Sequence, residues 1–140
     1  MAQALRPLST KALSAFRSAE GDIAREAVRR SLSRTEQVAH HGDDAQALLT
    51  TGMDFVMRML DSAMAVGEVA LLEDELAWAR QRLPHDGVSA EHVLTRFQIL
   101  GQVVSEMLPD EAAAEVIPYL DWLVERQTAM LTSSQDHNAT

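Results

Sequence analysis

The 140-residue chain contains no cysteine. This absence excludes disulfides, thiolate metal sites, a cysteine nucleophile and a thioether-linked chromophore. No apolar run approaches the roughly 20 residues that a membrane-spanning helix needs, and the N-terminal segment lacks the continuous apolar core of a secretory signal. We therefore expect a cytoplasmic protein with no membrane partner.

Glycine and proline are also scarce, at six and four residues. Most of them lie between stretches with helical periodicity, and no segment shows the strict alternation of a β-strand. The pattern predicts an all-α bundle of five to six helices. We expect one domain over residues 8–131, a flexible N-terminus over residues 1–7 and a disordered polar tail over residues 132–140. Within the domain, a break is expected at Gly21-Asp22, between a helix over residues 8–20 and one over residues 23–40.

Residues 68–108 contain the clearest pattern, two amphipathic helices joined by a corner at Pro84-His85-Asp86-Gly87. The apolar residues of each helix recur at steps of three and four, which places them on one face. In the first helix they are Val69, Leu72, Leu76, Ala79 and Leu83, and in the second Val93, Phe97, Leu100, Val104 and Leu108.

The charge is unevenly distributed along the chain. Residues 1–34 hold seven basic and three acidic residues, whereas the remainder holds five basic and 18 acidic residues, for a net charge of −9. An acidic body repels phosphates, so we expect no nucleic-acid partner. The basic N-terminal segment is expected to dock onto the acidic remainder of its own fold or of its dimer, and an adaptor that uses these charge-split surfaces is an alternative.

Catalytic and metal-binding motifs are missing. The histidines do not have the spacing of a zinc or di-iron site, and no nucleophile, base and orienting group come together in the sequence. Neither an enzyme nor a metal site is expected. His85, in the corner, and His92, in the following helix, are the alternative candidates for binding a cofactor.

The aromatic residues suggest an interface. Tyr119, Trp122 and Arg126 follow one another at helical spacing beside the apolar stripe of the last helix, and Trp78 lies off the stripe of its own helix. A second apolar edge is typical of a binding surface. We predict a homodimer through Trp78, Tyr119, Trp122 and Arg126, while a wide core stripe or a ligand pocket remain alternatives.

One segment resembles the part of phycobiliproteins that runs from a Leu-Glu-Asp sequence through a Gly-Val corner into the next helix. Its sequence is LLEDELAWARQRLPHDGVSAEHVLTRF. This segment and the helix before it together also resemble the non-haem, globin-like sensor domains at the N-terminus of stressosome scaffold proteins. The preceding helix begins with the sequence MDFVMRMLDSAMAVGEV. The resemblance covers roughly Gly52 to Leu131. It implies a globin-like fold and a role in signalling.

The chain departs from these families at the positions that hold a chromophore. Phycobiliproteins carry a chromophore-bearing cysteine near the position of Glu75 or Leu76, and haem globins place a proximal histidine where this chain has residues 79–83. The expectation is therefore a non-catalytic sensory or regulatory domain of the stress-response type, with no cofactor and an unknown protein partner. The alternative is a haem- or other tetrapyrrole-binding globin that uses His85 or His92.

Overall fold

The computed structural model describes residues 5–34, 44–82 and 90–138, and these ranges contain helices and no strand. The five helices in the described ranges are α1 (Thr10–Leu32), α2 (Ala45–Val66), α3 (Val69–Arg82), α4 (Ala90–Met107) and α5 (Asp110–Asn138). The predicted all-α, globin-like fold is confirmed. None of these helices combines the length and the apolar character that crossing a membrane requires.

Helix α1 is continuous, so the predicted break at Gly21-Asp22 is wrong. A glycine inside a helix costs about 1 kcal/mol relative to alanine. That cost is outweighed here because Phe16, Ile23 and Ala27 form one buried stripe that runs past Gly21. Ser9 caps the start of this helix, because its hydroxyl accepts a hydrogen bond from the Ala12 amide at 3.1 Å.

The core lies where α1, α2, α4 and α5 pack together, and α3 packs mainly against α2. The predicted stripe of α4 is buried along its whole length, as are Leu72 and Leu76 of α3. Helix α2 buries a broad face, which includes Met53, Met57, Met59 and Leu60. Helix α5 extends past residue 131 to Asn138, into the segment expected to be a polar tail.

The N-terminal segment before α1 is held against α2 and α5. The Leu8 amide donates a hydrogen bond to the Met64 carbonyl at 2.9 Å, and the Tyr119 hydroxyl donates one to the Arg6 carbonyl at 2.5 Å. Gly67 ends α2 in the left-handed conformation, with φ of 70°. A Cβ at Gly67 would lie 2.6 Å from the Pro7 Cδ. We call residues 5–9 the N-terminal strap.

Basic residues of α1 pair with acidic residues of other helices, as the charge distribution predicted. Arg17 forms a two-point contact with Asp61 of α2, and Arg30 does the same with Glu106 of α4. These pairs are exposed and contribute little stability individually. They do fix how α1 lies on the acidic part of the fold.

Tyr119 and Trp122 are part of the core, with 1% and 6% of their surface exposed. The strap covers Tyr119, and the apolar edge of α5 that suggested an interface is therefore largely used inside the chain. Another buried polar contact joins α5 to the start of α4: the Gln127 amide donates a hydrogen bond to the Ala90 carbonyl at 3.0 Å.

We expect Gly67→Ala to lower the free energy of unfolding by about 2 kcal/mol or more, because a left-handed alanine is strained and its Cβ would collide with Pro7. Gly101→Ala is the matched control. Gly101 lies inside α4 with open space around its Cβ position, so this change should stabilise by about 0.5–1 kcal/mol. Urea unfolding of both variants tests the pair, and a harmless Gly67→Ala would show that the strap does not pack as described.

The contacts of the strap also make the stability of the fold depend on pH. The Ser9 amide and hydroxyl both donate to the Glu115 carboxylate, at 2.8 and 2.9 Å, and these bonds lower the pKa of Glu115 below its ordinary value of 4.5. A lowered carboxyl pKa stabilises the fold above pH 4.5, and this stabilisation is lost as the pH falls through the folded-state value.

We therefore expect Glu115→Gln to be less stable than the unchanged chain at pH 7, with the two converging as the pH drops below 4.5. Urea unfolding of both proteins at a series of pH values measures the difference. A difference that stays constant down to pH 2.5 would contradict a stabilising role for the Glu115 charge.

Because Trp122 is buried, Trp122→Ala should cost about 3–5 kcal/mol in the free energy of unfolding. Trp78→Ala is the control, since Trp78 is 51% exposed and its loss should cost about 1 kcal/mol. Thermal and urea unfolding compare the two variants. Equal losses would mean that Trp122 does not lie in the core.

Candidate functional site

A cleft of about 300 Å³ opens between α2, α3 and α4. Its volume is at the lower end of the range for sites that enclose small molecules. The lining is mainly apolar, and each of the three helices contributes to it. The principal wall residues are Met53, Phe55, Val56 and Met59 from α2, Leu76, Trp78 and Ala79 from α3, and Val93, Phe97 and Leu100 from α4.

Trp78 forms one wall of the cleft and is also half exposed. Its ring packs against Phe55 of α2, with ring centroids 5.6 Å apart and planes inclined by 35°. Tilted aromatic pairs of this kind contribute beyond the area they bury. The Phe55–Trp78 pair therefore holds α3 against α2 at the cleft while leaving an aromatic surface available.

Arg96 brings a positive charge to these apolar walls. Its side chain is half-buried, and burial lowers the pKa of its guanidinium. A Cβ at Gly52 would lie 3.9 Å from Arg96 Nη1, which places the guanidinium beside the α2 wall. Because arginine keeps its proton even when buried, the charge persists in this poorly solvated position.

Glu75 and Leu76 also line the cleft. These are the positions near which the resemblance to phycobiliproteins places a chromophore-bearing cysteine. The cleft thus lies where that resemblance predicts a chromophore, but the chain has no cysteine that could form the thioether bond.

The four residues predicted to form an interface do not share one exposed surface. Tyr119 and Trp122 are buried within the chain, because the strap and the neighbouring helices already cover the apolar edge of α5. Arg126 is exposed, and its guanidinium lies 5.2 Å from the centre of the Trp122 ring and 3.2 Å from Glu73 of α3. Of the four residues, Trp78 and Arg126 are exposed, and the dimer remains a prediction.

The histidines proposed as alternative cofactor ligands are not brought to the cleft in the part of the chain that the structure describes. His85 lies outside the described residues. His92 is half-buried on α4, but it is not among the described residues that line the cleft. Within residues 5–34, 44–82 and 90–138, no cluster of three or more histidine, aspartate or glutamate side chains could hold a metal ion.

Sequence reasoning missed Arg96 and Phe55. A signal for Arg96 was present, because it lies three residues after Val93 and four before Leu100, and so interrupts the apolar stripe of α4 with a charge. Phe55 is half-buried beside the buried face of α2 and has no comparable signal. Its role depends on the position of α3, which the periodicity of α2 does not determine.

Comparison with known proteins supports one of the two resemblances. A family model described as "Phycobilisome protein" matches residues 5–126. No curated protein matches the chain. The match includes α1 to α4 and the first half of α5, and thus every described residue of the cleft.

This match corrects the expectation that the chain takes no cofactor, because members of this family carry covalently bound bilin tetrapyrroles. The residues of the cleft fit such a group in part. Apolar and aromatic walls suit its rings, and Arg96 suits a negatively charged substituent. A thioether bond does not fit, since no cysteine is present.

The helical fold, the position of the cleft and the family model all agree. The family model matches residues 5–126, which is well over half of the 140 residues. The chain belongs to the phycobilisome protein family.

Proposed function

We propose that this protein is a non-catalytic regulatory member of the phycobilisome family, whose cleft between α2, α3 and α4 binds a bilin-type tetrapyrrole without a covalent bond. One observation carries the proposal. A mainly apolar cleft includes Glu75 and Leu76, near which the resemblance to phycobiliproteins places the chromophore, in a chain that has no thiol for the attachment.

The wall residues perform the binding. Met53, Met59 and Phe97 exclude water from the inner part of the cleft, since each is buried and apolar. The Phe55–Trp78 pair offers aromatic rings on which a planar ligand can stack. A bound bilin would supply absorption of visible light.

Helix α3 is the element that could report ligand binding. It carries Trp78 and Ala79 on the wall of the cleft, and its Glu73 pairs with Arg126 of α5. A ligand that favours one position of α3 over another would change the contact between Glu73 and Arg126. Such a shift requires different affinities for the two positions.

The predicted homodimer would transmit this shift of α3 to a second copy of the chain. Trp78 belongs to the wall of the cleft and is half exposed, and Leu71, two turns earlier on α3, is 40% exposed. A second copy that covers this side of α3 would respond to ligand binding through Trp78. Signalling would then pass through contacts between proteins, without a reaction catalysed by the chain.

The first test is a titration of the purified protein with biliverdin, followed by absorption spectroscopy. We expect saturable binding and a shifted, narrowed visible band, and gel filtration in denaturant should separate all pigment from the protein. Ala79→Trp fills the cleft and should weaken binding by about tenfold or more. Ala77→Trp, on the exposed side of the same helix, is the matched control and should bind as the unchanged chain does.

Two results would contradict the proposal. One is the absence of saturable biliverdin binding, and the other is equal binding by the Ala79→Trp and Ala77→Trp variants. Sedimentation with and without biliverdin tests the output separately, because a ligand-dependent dimer should change its dissociation constant when the cleft is filled.

A further inference from the structure

We propose that a groove between α4 and α5 binds a partner helix that has an apolar face with basic residues beside it. The groove has a volume of about 490 Å³ and lies on the side of α4 away from the cleft, with Phe97 as the one described residue that lines both. The inference goes beyond the proposed function, because it names a second surface and the chemistry of its partner and does not require a ligand in the cleft.

The floor of the groove is apolar and lies open between the two helices. Phe97 and Leu120 are buried in it, whereas Ile117 and Val124 of α5 are only half-buried. The half-buried pair leaves apolar surface in contact with solvent, and a second apolar surface would remove it from water. We therefore expect the occupant of the groove to present an apolar face.

The α4 wall of the groove is uncharged over two helical turns. It runs from Gln98 through Gly101 and Gln102 to Ser105, a distance of about 10 Å at the helical rise of ~1.5 Å per residue. A helix that lies in a groove contacts it through apolar residues at positions i, i+3 or i+4, and i+7, which also span two turns. The length of the groove thus suits one face of a helix.

Gly101 is the residue of this wall that packing inside the chain does not explain. It lies within α4, and a Cβ built there has no described atom within 4 Å. A glycine inside a helix costs about 1 kcal/mol relative to alanine, so this position lowers stability without a packing gain in the described part of the chain. The missing side chain does allow another backbone to approach α4 closely.

The charges around the groove favour a basic partner over a second copy of the chain. Over residues 90–132, six of the seven exposed charged residues of α4 and α5 are acidic, and the exception, Arg126, is held by an ion pair with α3. The six are Glu91, Glu106, Asp110, Glu111, Asp121 and Glu125. Two copies that met on this face would bring like charges together, whereas basic residues would be attracted to it.

The α5 rim is where the basic residues of the partner would bind. Asp121 lines the groove, and Glu125 follows one turn later on the same side of α5. Glu106 also lines the groove but is already paired with Arg30 of α1, at 2.7 Å. Asp121 and Glu125 are therefore the expected contacts of the basic residues.

Pro118 adds an acceptor to the same rim. It lies inside α5 and is exposed, three residues before Asp121. Because proline has no amide hydrogen, it cannot donate to the carbonyl of Ala114, one turn earlier. Ala114 is exposed as well, so this carbonyl can accept a hydrogen bond from a lysine or arginine of the partner.

The probe for the test is a fluorescein-labelled peptide of about four helical turns, in which leucines recur at helical spacing and lysines fill the other positions. Its counterpart has glutamate in place of every lysine. Fluorescence anisotropy of each peptide is measured as the full chain is added. We expect the lysine peptide to bind saturably, about tenfold or more tightly than the glutamate peptide, and to bind more weakly as the salt concentration rises.

Substitutions of Gly101 separate binding from stability. Gly101→Ala should raise the melting temperature and yet weaken binding of the lysine peptide by about twofold or more, and Gly101→Leu should weaken it by about tenfold or more. Gly21→Ala and Gly21→Leu are the matched controls. Gly21 also lies inside a helix, and a Cβ there would be at ordinary contact distance, 3.5 Å from Arg25 Nη1. Both controls should bind as the unchanged chain does.

A second pair of variants tests the charge. Asp121→Lys should weaken binding of the lysine peptide by about tenfold. Asp74→Lys makes the same change in net charge at an exposed position of α3, and its effect on binding should be clearly smaller. The comparison separates contact at the groove from the general attraction between a basic peptide and an acidic protein.

The inference is overturned if the lysine peptide shows no saturable binding or binds no better than the glutamate peptide. Equal binding by Gly101→Leu and Gly21→Leu, or equal losses in Asp121→Lys and Asp74→Lys, would overturn it as well. Sedimentation of the chain without peptide tests the other occupant, because a dimer that Gly101→Leu dissociates would mean that a second copy fills the groove. Each of these failures leaves the proposed function standing, since the biliverdin titration measures the cleft by itself.

Discussion

The close contact between Pro7 and Gly67 is the constraint on which the arrangement of the helices depends. It requires a glycine in the left-handed conformation at the end of α2 and brings the strap across that end. From there the strap reaches Tyr119 of α5 and then leads into α1. Three helices are thus positioned by one short segment. The turn at Gly67 also determines the direction in which α3 leaves α2, and with it the width of the cleft.

The cleft exists because α3 packs on one side of the fold only. Helices α1, α2, α4 and α5 bury apolar residues against several neighbours, whereas α3 rests mainly on α2. It is joined to α5 by the ion pair between Glu73 and Arg126. A helix held in this way can change position at lower cost than one that is interlocked in a close-packed core. The same feature leaves a cleft beside a helix that can change position.

Much of the fold could be predicted from the sequence, because helical periodicity reflects burial directly. The stripe from Val93 to Leu108 is buried as its spacing indicates. Gly21 misled the prediction, since the intrinsic preference of one residue is small compared with a buried stripe that continues on both sides of it. Tyr119 and Trp122 misled it for another reason. The Tyr119 hydroxyl finds its partner 113 residues away at Arg6, and no local pattern reveals such a contact.

The position of the candidate site could be predicted from the sequence, but the full set of residues that line it could not. The resemblance located it near Glu75 and Leu76, and the structure places both residues in the cleft. The participation of Arg96 and Phe55 depends on how α2, α3 and α4 lie relative to one another, which the sequence of each helix does not specify.

Under the proposed function, the lack of a thiol in this cleft has a thermodynamic consequence for the protein as a whole. A covalently attached chromophore is present in every molecule, whereas a reversible ligand occupies the cleft according to its supply. A ligand that binds only the folded chain adds to its stability by mass action, by about 2.7 kcal/mol when its concentration is a hundred times the dissociation constant. The resistance of the protein to unfolding and degradation would then rise and fall with the amount of free ligand. In this way the abundance of the chain, as well as its conformation, would record how much ligand the cell contains.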